Sequence, residues 1–591
     1  MKTPPRFTVK QLEDAINREG SICAAARRLK MDESTIRERL GRRGKRTSFR
    51  RPLEAPPPQA TGQVHYRKPE VRELPAEGET KVYIVTAAQV CTEVHAAFWT
   101  NLKAYARARK AEILVSTPTY DQRQYSRPDQ IKSRAEVEAD VERGVTKRER
   151  AVWIADQVRP HLSNSRVKLA PTLQWCGELN ILPTAARPLN GLSGYTGQDS
   201  CIVPHTKLAL ESVPTGRYEP TKFLYSTGAC TLRNYIQKRV GQVAEFHHAY
   251  AALVVEVLSD GRWFVRQLNA TSDGAFQDLT ALVKDGRLFH ARVAGIQWGD
   301  IHASAMDQDV RELCWGLCRA GQVSVIDALQ PSVQFFHDLI DFHSANHHER
   351  KSPRKRFERW ARKQNDVRAE IDATCAFLVG AARPWCEGII VPSNHDEHAD
   401  RWLDEGDPLA DPQNSALWHR ANGAMRDSIA NGDDWSFAAW AFADSPARVL
   451  KRDEPYVLHE IEMGWHGDLG PNGARGSTQG LIKTCRRISK GHDHQATIRD
   501  GVYSAGVCAR TLDYARGPSS WSISHIVVYP NGKRCILTQN GDAYWAPRKE
   551  KKAGKACPTK KAPRSAPARS AKTGSISKSV TRSRSISAGA T

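Results

Sequence analysis

The sequence predicts an α/β protein preceded by a small all-α unit, and three observations carry that expectation. From residue 81, and again from about 292 to Trp545, strand-length apolar runs alternate with stretches of helical periodicity, the pattern of strand–helix units, with further short strands over 160–290. Residues 7–44 instead hold three short helical stretches separated by turn residues. Several apolar runs also end in His, Asp or Asn. In "GIIVPSNHDEH" (388–398) a buried strand leaves the core through Asn394, His395 and Asp396 with no turn glycine between them.

Taken in order, Val9, Leu12, Ala15 and Ile16 recur at helical spacing until Gly20. Ser21 caps a second helix, "SICAAARRLK", whose alanines permit a close crossing. "MDE" makes a turn, and Ser34 caps the Arg-rich "STIRERLGRR". The stretch resembles the small DNA-binding helix-turn-helix units of bacterial and phage regulators, which implies DNA contacts from Ser34, Thr35, Arg37 and Arg39. Residues 1–45 are therefore expected as a helix-turn-helix domain, and 46–79, rich in Pro and charge, as a linker. "KVYIVTAAQ" (81–89) reads as a strand, "AAFWTNLKAYARARK" as a helix and "AEILVSTPTY" as a second strand. "AALVVEVL" and "RWFVRQLN" flank a turn at Asp260 and Gly261. "GLSGYTGQDS" (191–200) matches no phosphate-loop spacing and is expected as a loop. Residues 80–291 form an expected accessory α/β domain, 292–545 a second domain, and 546–591 a basic tail too poor in apolar residues to fold.

Charge is concentrated at the ends. The net charge is +22; residues 1–60 carry 15 Lys and Arg against 7 Asp and Glu (+8), and residues 546–591 carry 13 against 1 (+12). The body between is left with 59 against 57, only +2. Two cationic ends on a neutral body suit a polyanionic partner, because neutralised phosphates release condensed counterions. No apolar run reaches the roughly 18 residues of a membrane span. The first residues lack the apolar core of a secretory signal, and the 13 cysteines form no paired framework. A cytoplasmic protein with reduced thiols and no membrane partner is expected.

Five successive segments repeat the polar strand ending. "ARVAGIQWGDIHA" delivers Asp300 and His302, "PSVQFFHDLIDFH" His337, Asp338 and Asp341, and "GIIVPSNHDEH" Asn394. "VLHEIEMGWHGD" then delivers His466, and "ISKGHDHQA" His492 and His494. Residues at the carboxyl ends of sheet strands converge on one crevice. In this order the set resembles the calcineurin-like metallophosphoesterases over residues 292 to about 530. That resemblance implies a β-sandwich flanked by helices that holds two divalent metal ions. Asp300, His302, Asp338 and His494 would hold one, and Asp338, Asn394, His466 and His492 the other, with Asp338 as the bridge. It further implies that His395 assists the leaving group and that Asp396 orients it. Two positions depart from the family: His337 and Ser393 stand where glycine usually precedes the ligand. Imidazole and carboxylate donors do not choose sharply among Mn, Zn, Fe and Mg; manganese is preferred from the family.

"NHHERKSPRKRFERWARK" follows the Asp338 segment, and residues 347–363 hold 8 Lys and Arg against 2 Asp and Glu, with Phe357 and Trp360 interleaved. Beside a two-metal crevice this suits a wall that tracks a nucleic-acid backbone through Arg350, Lys351, Arg354, Lys355 and Arg356. The order of segments over about 80–545 also resembles the pre-early host-DNA-degrading proteins of T5-like bacteriophages. The expectation is a two-metal DNA nuclease, phage-encoded and acting in the host cytoplasm, with homo-oligomerisation left open. Two alternatives stay open: a phosphodiesterase or phosphatase for RNA or small nucleotides, and a DNA-binding regulator with an inactive esterase scaffold.

Overall fold

The computed structural model of the chain describes residues 7–19, 22–29, 31, 35–36, 40, 68–119, 132–145, 152–317, 323–346, 349, 351–510, 512 and 516–547. Within these, the protein is a mixed α/β structure built on several sheets. Four parallel strands, Gly295–Gln297, Val333–His337, Glu387–Val391 and Ala447–Val449, lie side by side with an antiparallel hairpin, Ser524–Val528 and Arg534–Thr538. Parallel neighbours need crossovers. Helices Gln308–Trp315, Val367–Ala381 and Ser415–Ala430 lie on the chain between successive parallel strands.

Alternation along these strands explains why they read as unbroken apolar runs. Val333, Phe335, Ile389, Val391, Ile526 and Val528 enter one core, whereas Phe336, Ile390 and Val527 enter the other. The second core is closed by helix residues such as Trp315, Phe377, Trp402 and Phe437. The first is closed by other strands, including Val167, Trp175, Leu210, Tyr225, Ile498 and Tyr503. A strand buried on both faces shows no polar alternation.

An eleven-stranded sheet draws strands from residues 70–228 and from 457–504. His205–Val213 pairs antiparallel with Thr497–Arg499, placing Leu210 opposite Ile498. The segments divided in the sequence at 291/292 therefore share a sheet and a core. The described residues up to Ala546 belong to one compact unit. The apolar runs near the start lie in a four-stranded sheet ordered Trp263–Asn269, Ala251–Leu258, Thr80–Ala87, Glu112–Ser116. The Asp260–Gly261 turn is as expected, with Gly261 at φ +85. Residues 191–199 run through successive turns.

Near the N-terminus, helices Val9–Glu19 and Ile22–Leu29 pack Leu12, Ile16, Ile22, Ala25 and Ala26 against Ile36. Thr35 and Ile36 are helical, whereas Ser34, Arg37 and Arg39 lie outside the described residues, as do most of the 46–79 linker and residues 548–591. Among the described residues the cysteines are all free. No described helix is long and apolar enough to cross a membrane.

Candidate metal centre

The strand ends meet between two sheets rather than along one. Asp300, Asp338 and Asn394 follow parallel strands of the six-stranded sheet, while His466, His492 and His494 follow Ile461–Glu462 and Arg487–Lys490 of the eleven-stranded sheet. Backbone bonds stitch the sheets together at this point. Asp300 N donates to Gly506 O at 2.9 Å and Cys508 N to Asp300 O at 2.8 Å, while on the six-stranded side His302 N donates to Asp338 O at 2.8 Å. Gly491 is required by close approach, because a Cβ there would sit 2.1 Å from Asp300 Oδ1.

Four buried side chains, Asp300, His302, Asp338 and His494, each bring one donor atom to within 4.8 Å of the others. His494 Nε2 lies 3.2 Å from Asp300 Oδ2 and 3.8 Å from Asp338 Oδ2; His302 Nε2 lies 3.1 Å from His494 Nε2 and 3.8 Å from Asp338 Oδ2. Four donors about 2.0–2.2 Å from one cation stand roughly 3–3.5 Å apart. The set is close to that spacing. Neither carboxylate oxygen of Asp338, nor Asp300 Oδ1, receives a well-formed hydrogen bond, although all are buried. Buried carboxylate oxygens in that condition call for a cation.

Around Asp338 Oδ1 the arrangement is looser. His466 Nε2 lies 3.3 Å from it, and His492 Nδ1 lies 3.1 Å from Asn394 Oδ1. The structure thus brings Asp338 to His466 and Asn394 to His492 as two pairs. His466 also gathers with Asp300 and His337. His337, which occupies a backbone-approach position in the sequence reading, is fully buried and turns its Nδ1 to within 3.3 Å of His466 Nδ1.

Asp341 was not among the site residues expected from the sequence, and it joins two of them. Its Oδ1 lies 2.6 Å from His302 Nδ1 and 3.1 Å from His395 Nδ1. The first contact has the geometry of a carboxylate behind a metal-binding histidine, which orients the ring with Nε2 towards the metal. The orienting contact to His395 belongs to Asp341 rather than to Asp396, whose carboxylate accepts from Ser393 N at 2.7 Å and closes the turn. His395 Nε2 lies 4.0 Å from Asp338 Oδ2.

The field at the centre suits cations. Burial alone would raise Asp338, but His466 and His395 hold it well below the usual carboxylate range. Burial would likewise lower His494 and His395, yet Asp300 and Asp338 lift the first to about 9, and Asp338 and Asp341 lift the second to about 10. Asp396 is pushed up to about 6, chiefly by burial. Four residues of the centre adopt left-handed backbone: His302, Asp338, His492 and His494 have φ of 45°, 44°, 72° and 56°. Left-handed backbone at non-glycine residues costs about 1–3 kcal/mol each, and it clusters at functional sites.

A cleft of about 940 Å³ opens beside this centre, lined by Asp341, Asn394 and His395 and by the cations Lys355, Arg362, Lys363 and Arg516. Acids also line it, but they are engaged. Glu370 accepts from the Ser344 backbone and hydroxyl, Asp366 caps Val367–Ala381, and Glu349 pairs with Arg359. No carboxylate pairs with Arg362 or Lys363 among the described residues. Of the basic residues expected to meet DNA, Lys355 lines the cleft. Lys351 is exposed, Arg354 pairs with Glu358 at 2.5 Å, and Arg356 donates to Ala410 O at 3.2 Å. Arg350 lies outside the described residues. Phe357 and Trp360, both 64% exposed, stand with ring centroids 5.7 Å apart on the same helix.

No protein-family model matches the sequence, and no solved structure matches the fold. The chain is similar to Protein A1 of Escherichia phage T5, with 32% identity over 488 residues that cover 79% of this chain and 83% of that protein. The matched share leaves out only about a fifth of either chain. The chain belongs to the family of Protein A1 of Escherichia phage T5.

Proposed function

We propose that this protein is a metal-dependent nuclease that hydrolyses DNA phosphodiester bonds, encoded by a phage and acting in the host cytoplasm. The observation that carries the reading is the convergence of Asp300, His302, Asp338 and His494, all buried, beside a cleft with a cationic wall. Relatedness to a phage protein supports the phage origin. In this reading Asp338 would help to hold both of two divalent cations. Asp300, His302 and His494 complete one donor set, and Asn394, His466 and His492 the other. The same residues carry the likeness to the calcineurin-like metallophosphoesterases and their helix-flanked β-sandwich. Manganese is preferred, although zinc, iron and magnesium suit these donors too. Bound divalent cations supply charge neutralisation on a phosphodiester and make a water acidic enough to ionise near neutral pH.

The chain's own groups do the rest. His395 holds a proton at Nε2 for the departing oxygen, with Asp341 fixing its other nitrogen. Lys355, Arg362 and Lys363 position the backbone phosphates, and the Arg-rich segment around Thr35 anchors the protein on DNA. Purified protein is expected to degrade DNA with Mn²⁺ and to stop on addition of a chelator. Full metal loading with no cleavage of any DNA or RNA form would refute the proposal.

A further inference from the structure

A second concentration of charge lies away from these ligands, where the two halves of the chain share the eleven-stranded sheet. Lys207, on strand His205–Val213, and His247, at the end of helix Arg239–Phe246, come from the first half. Arg487, Lys533 and Arg534 come from the second. All five line one pocket of about 330 Å³. Asp500 is the carboxylate inside it, forming an ion pair with Lys207 Nζ at 2.5 Å and lying 3.5 Å from His247 Nδ1. Glu460, 3.4 Å from Arg487 Nη1, is 88% exposed and stands outside the lining.

Lys533 and Arg534 have no carboxylate partner among the described residues. Arg534 is buried and donates to Ile488 O at 2.5 Å, Ser489 Oγ at 3.1 Å and Gly501 O at 2.7 Å, with its guanidinium 3.9 Å from the centre of the Tyr503 ring. These contacts fix its geometry without neutralising its charge. Burial lowers Lys533 below the usual ammonium range, and Arg487 and Arg534 lower it further; burial pushes Arg534 to about 9. Cations gathered out of water without counter-charges are costly unless an anion completes the set.

We propose that this pocket is an anion site for the phosphate class, with Arg487, Lys533 and Arg534 as its cationic walls and His247 and Asn269 as further polar lining. The phosphate could be free, on a mononucleotide, or part of a polynucleotide backbone. The site is separate from the proposed metal centre and does not rest on the nuclease reading.

Thermal denaturation of the full chain at constant ionic strength, titrated with inorganic phosphate, a deoxynucleoside monophosphate or a short oligodeoxynucleotide, tests the proposal. It should be run on the wild type, Lys533→Gln and Arg487→Gln. Both positions reach solvent, and both variants retain every proposed metal ligand, so binding at that centre is common to all three proteins. Saturable stabilisation of the wild type is expected, with apparent affinity at least tenfold weaker in each variant. Tightest binding of the monophosphate would identify a free-nucleotide source, and tightest binding of the oligonucleotide a backbone segment. Equal affinity of the wild type and both variants for every probe, or no saturable binding at all, would overturn the assignment.

Discussion

At His395 one imidazole stands between two carboxylates, Asp341 at Nδ1 and Asp338 beyond Nε2, without belonging to the four-residue donor set. His395→Ala is therefore expected to keep its metals while turnover falls by about 10²–10⁴-fold, the usual contribution of a positioned acid. Elemental analysis beside a cleavage assay reads both quantities. Asp341 makes a contrasting case because it touches His302 as well as His395. Asp341→Asn should weaken metal binding by about 10–100-fold, as loss of a carboxylate behind a ligating histidine does. Unchanged affinity in a metal titration would remove Asp341 from that role. Its importance was not legible in the sequence, since it follows Asp338 at no motif spacing and acts only through residues distant in the chain. Gly491, by contrast, could be read with the two histidines that follow it, and the structure supplies the reason in its approach to Asp300.

The helix Pro353–Ala361 joins local chemistry to the cleft. Ser352 caps it by accepting from Lys355 N, and Pro353 starts it with a preset φ. Ser352→Ala should cost about 1 kcal/mol locally, visible as faster amide exchange in the first turn. Charge reversal at Lys355, Arg362 and Lys363 should greatly weaken cleavage of DNA and spare a small phenyl phosphodiester. Equal loss on both substrates would make the segment structural. At this scale the sequence was readable wherever structure is local. The first two helices, the strand–helix–strand start at 80–116 and the Asp260–Gly261 hairpin all follow from nearby periodicity and turn chemistry. The eleven-stranded sheet was not readable, because pairing Leu210 with Ile498 joins positions nearly 300 residues apart, and no local signal encodes it.

Across the whole molecule, a buried ionic network helps hold the assembled sheets. Arg266 bonds Glu256 at 2.8 Å and Asp278 at 2.7 Å, Arg109 reaches Glu256 at 2.5 Å, and Ala546 N donates to Glu256 at 2.9 Å. Arg266→Met should destabilise by about 3–5 kcal/mol, since it leaves two buried carboxylates sharing Arg109 as their one cationic partner. Burial would raise Glu256, but Arg266 and Arg109 bring it down to about 2 from an ordinary value of 4.5. A depressed carboxyl stabilises the folded state above its unfolded value, and this contribution is lost as pH falls from about 4.5 towards 2. Chemical denaturation between pH 5 and 2 should therefore show a steeper loss in the wild type than in Glu256→Gln.

Bound manganese per chain, measured together with DNA cleavage for the wild type and Asp338→Ala, tests most directly whether Asp338 is the shared ligand of a catalytic metal pair. The wild type should hold two ions and cleave, and Asp338→Ala should lose both metal and cleavage while still folding. An Asp338→Ala protein that kept two ions per chain and the wild-type cleavage rate would contradict the role assigned to Asp338.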